Sequence, residues 1–456
     1  MIDEKIQLGQ EQQQAIDLIL QFLKSKDTCF SLVGAAGTGK SLTISRLLSQ
    51  LDCNYQLCAP THKAALVMRN YCDDDAITLH SMLSLSPKLD ITKFDVLNLG
   101  FYMTKKPQQI PTKGLVICDE ASMINDDLFD LIVERVKSYN SKILFVSDKA
   151  QLLPVQSTKY SKVYTHCDQT FTLTKIYRQS SENCILPILN DLRKAERYNF
   201  ETMHSPEGNL IVTHHLKEYL DSCVKDFKYC IDHRDVLYVK ALAYTNKAVK
   251  GYNRLIQNFI WGDHALFHKG DILTAYDSGT RGIVVDKEHK INEYKVPFSY
   301  FNGMDYIIEE VEKGTKELPY VGIVEGFYLT LYDAYTKTYG KIFIVTSRAE
   351  INKIAPILEN LRMDGVNQHR WKPYYNLAES FTSYDYLTFD NRTIMKRTFD
   401  LGYCSTIHKS QGSSYNKVYI DLTNLQICKD PLVRRQLEYV AFSRTRTDVN
   451  VFEQQR

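Results

Sequence analysis

The sequence has no run of 18 apolar residues, so no stretch of it is long enough to cross a bilayer as a helix. It has no CxxC pair either. The 11 cysteines stand singly, which argues against a zinc site or a disulfide framework and for reduced thiols, most of them buried. Neither sign of charge is in excess, with 56 Lys and Arg against 54 Asp and Glu, so affinity for a polyanion has to come from a local groove. The opening residues MIDEKIQLGQEQQQ lack the basic-then-apolar order of a secretory leader, which makes the cytoplasm the expected compartment. Internal repeats of solenoid period and low-complexity linkers are missing as well.

What is present is the composition of a globular protein, 44% hydrophobic and 24% charged over 456 residues, too long for one core and expected to divide into domains. The 30 tyrosines offer stacking surface, but most are expected in the interior. From residue 28 to about 185, apolar runs alternate with helical patterns: CFSLV, YQLCA, GLVICD, KILFVSD and FTLT, the rhythm of a parallel sheet covered by helices. The rhythm breaks between 84 and 112, where alternation bounded by prolines predicts an inserted β-hairpin. It resumes at VLYVKALAYTN (236–246), gives way from 265 to 395 to antiparallel, barrel-like alternation with one helix at RAEINKIAPILENLR, and returns from 396 to the end. The expected architecture is α/β: a first domain of 1–83 and 113–185 carrying the hairpin, and a second of 186–264 and 396–456 carrying the β-rich insertion.

GAAGTGKS fits G-x-x-x-x-G-K-[ST], with an apolar strand before it and the helical pattern SLTISRLLSQL after it. Gly34, Ala35, Ala36, Gly37, Thr38 and Gly39 would turn backbone N–H groups toward phosphates, Lys40 would neutralise the β- and γ-phosphates of ATP, and Ser41 would ligate Mg²⁺. LVICDEAS places Asp119 and Glu120 at a strand end, where Asp119 suits Mg²⁺ and Glu120 can polarise the attacking water. Gln151, beyond the strand that ends at Asp148, is a neutral amide able to sense the γ-phosphate.

These stretches, with APTHKAA, TLHSML, LTKIYRQ, AYTNKAV, STIHKSQG and YVAFSRTR, occur in the order of the superfamily 1 helicase motifs, and the set resembles the RecD-like branch that moves 5′ to 3′ on DNA. The resemblance implies two RecA-like P-loop domains with ATP between them. It also implies a β-hairpin pin at 84–112 and an SH3-like insertion with an extension that contacts the pin or the first domain. It implies that Gln12 reads the adenine edge, although Gln10, Gln13 and Gln14 stand beside it, and that Gln411 and Gly412 adjoin the nucleotide. Arg178 and Arg444 match the family's γ-phosphate arginines, whereas Arg446 is either a supporting residue or a surface charge. Ser147 stands where the family usually has glycine.

For single-stranded DNA, the short polar groups at strand ends are Thr61, His62, Lys63, Thr78 and His80 in the first domain. By resemblance Thr245, Asn246, Thr406 and His408 are their counterparts in the second. Each alone is more often a helix cap or a satisfied polar group of the core, and only the paired arrangement in the two domains favours DNA. In the pin, Phe94, Phe101 and Tyr102 either stack on bases or form the hairpin's own small core. The expected activity is unwinding of forked duplex DNA by a monomer in replication or recombination, with single-strand-binding or replication proteins as partners. An RNA helicase of the upstream-frameshift type and a nucleotide-gated DNA-binding module are the alternatives.

Overall fold

Six short strands of the N-terminal part pair side by side, every pair parallel, in the order Ala76–Thr78, Tyr55–Ala59, Leu115–Cys118, Lys142–Ser147, Cys29–Gly34 and Gln169–Leu173. The structure, a computed structural model, describes residues 7–454 except 92, 155, 156, 158, 178–182, 195–198 and 292–294. Both faces of this sheet are covered, which is why its strands read as continuous apolar runs rather than as alternation. One face packs Ile16, Ile44, Leu57 and Met68, and the other Val116, Phe129, Ile132 and Phe145. Ala76–Thr78, at the sheet's edge, has only three residues and carries no legible pattern.

The second sheet runs in the order Cys404–Thr406, Val239–Ala243, Tyr415–Asp421, Thr445–Phe452, Gly208–Thr213 and Met203–Ser205, parallel except for the last pair. A third sheet of eight strands is almost wholly antiparallel and is built mainly from 272–345. Its strand Phe399–Leu401 lies past the expected limit of the insertion at 395. Leu401 pairs with Leu273, and Cys404 then joins the parallel sheet beside Ala241, so the chain crosses between sheets at Gly402 and Tyr403. The tyrosines behave as interior residues here: Tyr219, Tyr300, Tyr306, Tyr403 and Tyr419 share one buried cluster.

Residues 84–112 hold a short hairpin in which Leu85–Pro87 pairs with Phe101–Met103. Phe101, Tyr102 and Met103 are about half exposed along it. The expectation that Phe94 stacks on DNA is corrected, because its ring is fully buried among Leu318, Phe343, Ile354 and Leu358, under the guanidinium of Arg362 at 4.8 Å. Arg362, on helix Arg348–Gln368, also donates to the carbonyls of Leu89 and Ile91, so the hairpin loop is sealed onto the inserted region. Burying an aromatic ring is strongly favourable. Phe94→Ala is therefore expected to cost about 3–5 kcal/mol, read as a lower denaturation midpoint; an unchanged midpoint would contradict this packing.

Candidate functional site

The phosphate loop follows Cys29–Gly34 and feeds helix Lys40–Leu48. Gly39 starts that helix at φ 81°, a conformation that favours glycine, and a Cβ there would stand 2.0 Å from Gln12 Nε2. Gln12 is buried against the loop: its Nε2 donates to the Thr38 carbonyl at 3.2 Å and its Oε1 accepts from Gly9 N at 2.8 Å. Tyr177, whose N–H donates to the Gly37 carbonyl at 2.7 Å, closes the same side. Lys40 Nζ donates to the carbonyls of Gly34 at 2.6 Å and Ala35 at 3.1 Å, which keeps the ammonium at the loop mouth.

At the end of Leu115–Cys118, Asp119 takes the Tyr71 hydroxyl at 2.7 Å and the Glu120 N–H at 2.8 Å on separate oxygens. Glu120 has a left-handed φ of 52°. Burial, reinforced by the charge of Asp119, raises the Glu120 pKa; Arg444 and Lys40 pull it back, and Asp148 raises it again. Arg444 comes from the other sheet's side of the molecule, in the turn between helix Pro431–Phe442 and strand Thr445–Phe452. It is 5% exposed and held in place, Nε to the Val440 carbonyl at 3.1 Å and Nη1 to the Ser413 carbonyl at 3.2 Å. Gly412, at φ 73°, brings its backbone so close that a Cβ would lie 3.9 Å from Glu120 Oε1. Its neighbour Gln411 donates to Gln151 Oε1 at 3.3 Å. The two sheets thus meet at one buried polar seam.

Tyr439, inside the YVAFSRTR stretch, is a member of this seam that pattern reading passed over. Its hydroxyl donates to Asp148 Oδ2 at 2.7 Å and accepts the Ala36 N–H at 3.1 Å, joining the second sheet's helix to the phosphate loop. Burial and the Asp148 charge raise its pKa and keep the phenol a donor. YVAF reads as apolar strand, yet it is the last turn of a helix, and only its neighbours in space mark the tyrosine. Arg446 is exposed beside Glu207 and Asn209, away from the seam. Arg178 lies outside the described residues.

The expected DNA contacts divide. Thr61, Thr78 and Thr245 each cap a helix, accepting the N–H of Ala64, Ser81 and Ala248 at 3.2 Å. Asn246 is exposed at the start of its helix, and Thr406 is buried with its hydroxyl accepting from Lys409 N. Burial lowers the pKa of His62, His80 and His408, so near neutral pH these rings present polar atoms without charge. His62 lies 5.1 Å from the Phe301 ring and His80 4.8 Å from the Phe101 ring of the hairpin.

Lys63 is a correction: although it lines a cavity with Thr61 and His408, its ammonium is committed to interior partners rather than free for a phosphate. It is 6% exposed, and its Nζ donates to the Tyr415 hydroxyl at 3.1 Å and stands 3.9 Å from Asp305, which also takes two bonds from Lys240 at 2.9 Å. Burial opposes its charge, but Tyr415, Asp305 and Tyr335 hold its pKa above the ordinary lysine value. A second cation, missed by the sequence reading, shares these surroundings. Lys409 Nζ lies 3.4 Å over the Tyr276 ring, its pKa brought down to about 7 by burial and by Arg397 and Lys396. It lines a cavity of about 380 Å³ together with Thr61, Asn302, His408 and Gln411.

Residues 7–205 match the family described as AAA domain, and residues 401–452 match the UvrD-like helicase C-terminal domain. The ATP-dependent DNA helicase dda of Enterobacteria phage T4 is 25% identical over 97% of this chain and 98% of its own. The ATP-dependent DNA helicase Pif1 of Campylobacter jejuni is 31% identical over 34% of this chain and 35% of its own. The RecBCD subunit RecD of Buchnera aphidicola is 22% identical over 92% of this chain and 69% of its own. Across these matches the chain is similar to superfamily 1 helicases of the RecD and Pif1 type. Its fold is theirs too: the Bacteroides Pif1 helicase solved with ADP-AlF3 and single-stranded DNA superposes with a TM-score of 0.51 at 18% identity, over 98% of this chain and 92% of that one. In this superfamily's terms the two parallel sheets are the RecA-like pair, and the seam lies between them. No helix among the described residues is long and apolar enough to cross a membrane.

Proposed function

We propose that this chain is an ATP-dependent DNA helicase that hydrolyses ATP in the seam between its two parallel sheets and steps along single-stranded DNA. The observation that carries the reading is the meeting of Arg444, Gly412 and Tyr439, from one sheet's side, with Glu120 and the Ala36 N–H of the phosphate loop on the other. It is supported by relatives named as ATP-dependent DNA helicases and by a structural neighbour holding ADP-AlF3 and single-stranded DNA. The loop N–H groups and Lys40 hold the triphosphate, with Gln12 and Tyr177 on the base side. Ser41 and Asp119 supply the hard oxygen donors that suit Mg²⁺, which when bound neutralises charge on the β- and γ-phosphates.

Glu120 takes the proton of the attacking water; its raised proton affinity suits it to that task. Arg444 stabilises charge on the γ-phosphate, with Arg178 as its expected companion, and Gln151, tied to Gln411, reports the γ-phosphate to the second domain. Closing and opening of the seam alternates the grip of two sets of DNA contacts: Thr61, His62, Thr78 and His80 on the first domain, Thr245, Asn246, Thr406 and His408 on the second. The half-exposed Phe101 and Tyr102 of the hairpin meet the duplex at the fork.

The test is unwinding of two forked DNAs, one with a single 5′ tail and one with a single 3′ tail, with and without ATP. Strand separation is expected only with ATP and only from the 5′ tail. Unwinding from the 3′ tail alone would overturn the assigned polarity, and DNA-stimulated ATP hydrolysis without strand separation from either would reduce the chain to a translocase.

A further inference from the structure

Behind the phosphate loop lies a second cavity, of about 470 Å³, that shares Gly34 and Ala35 with the loop but is lined by none of Lys40, Ser41, Asp119 or Glu120. Three cations face it, Lys149, Arg193 and Arg435, and none of them forms an ion pair among the described residues, although Arg435 lies within the field of the Glu438 carboxyl. The one carboxylate in its wall, Asp148, is already engaged by the Tyr439 hydroxyl and by Ala150 N.

Two residues in the wall carry buried, unpartnered polar atoms. Gln436 is 4% exposed, and neither its Oε1 nor its Nε2 has a hydrogen-bond partner among the described residues. Arg193 is half-buried, but its Nε and Nη2 are shielded and likewise lack a partner among the described residues, while its guanidinium carbon sits 5.6 Å over the ring of Tyr439. Buried polar atoms are nearly always satisfied, and a desolvated guanidinium fork without an acceptor is especially costly. The missing acceptor is anionic and of a shape that takes a fork and an amide together, which is the chemistry of a phosphate.

We propose that this cavity binds inorganic phosphate and is the station through which the product of ATP hydrolysis leaves the seam. The inference rests on the ATPase reading above. Hydrolysis releases ADP and phosphate, and the phosphate is freed at the rim of the loop where Ala36 and Asp148 are bridged by Tyr439. The cavity lies beside that bridge, with Ala35, Asp148 and Arg193 common to both surroundings. Its cations and the Gln436 amide hold the anion away from the loop, so that it is removed from ADP before it reaches solvent.

The test uses the full chain and inorganic phosphate as the probe. In a Lys40→Ala background, which weakens the phosphate loop, calorimetric titration is expected to show phosphate binding that drops about tenfold on adding either Arg193→Gln or Arg435→Ala, as loss of one charge-assisted contact implies. Arg435 is half-exposed, so its variant keeps the test valid should Arg193→Gln lower the melting temperature. With Lys40 intact, Arg435→Ala is expected to leave the single-turnover hydrolysis rate unchanged and to raise the phosphate concentration that inhibits turnover by about tenfold. Phosphate binding lost with Lys40→Ala alone, or indifferent to Arg193 and Arg435 together, overturns the proposal. A chain that binds phosphate as described yet hydrolyses no ATP overturns the functional reading and the exit role, while the anion site stands.

Discussion

Glu120→Gln is expected to bind ATP as the parent chain does and to hydrolyse it about 10²–10⁴-fold more slowly. The substitution keeps size and hydrogen-bonding shape, so the buried seam around Gly412 and Asp119 has little reason to rearrange. What it removes is the ability to accept a proton. Because burial and Asp119 raise the carboxyl's proton affinity above the ordinary glutamate value, parent turnover is expected to fall as pH drops through that raised value, where the base is protonated before it can act. The variant has no such limb. Nucleotide binding by fluorescence and single-turnover hydrolysis across pH make the check; hydrolysis at the parent rate would assign proton removal to another group.

Arg444→Ala is expected to keep ATP affinity within a few-fold and to lose on the order of 10³-fold or more in DNA-stimulated turnover, the scale of an arginine that acts on the transferring phosphoryl group. The cation sits on the second sheet's side and exerts its field on Glu120 across the seam, so its contribution depends on the two halves being shut. Its buried bonds to the carbonyls of Val440 and Ser413 make loss of folding the competing explanation. Arg444→Lys separates the two: it retains the charge and loses the fork, so it should recover part of the melting temperature and little of the rate. Arg446→Ala, at an exposed position, is expected to alter neither. Equal rates for Arg444→Ala and the parent chain would assign the γ-phosphate cation elsewhere.

The strands of the first sheet were legible because they are buried on both faces, which leaves runs such as LVIC without a single polar residue. The phosphate loop was legible because its glycines answer a local backbone demand. Lys63 was misread for the opposite reason: its sequence neighbourhood is a strand end, and only the distant Tyr415 and Asp305 make it an interior ion. Phe94 fails in the same way, its burial depending on a helix more than 250 residues later. The threonines carried two readings that sequence could not separate, and the structure places three of them as caps, a role that leaves the rest of each helix N-terminus available to an anion.

The hairpin's strands grow from the first domain, but the loop between them is packed on the inserted region through Phe94 and Arg362. It is therefore a strut with two anchorages. A rotation that parts the two parallel sheets cannot leave such a strut at rest: it must bend the three-residue ladder, drag the inserted region along with the first domain, or break open the core that buries Phe94. The first two are soft deformations and the last a costly one, so motion in the seam arrives at Phe101 and Tyr102 as displacement, with no separate signal needed to carry it there.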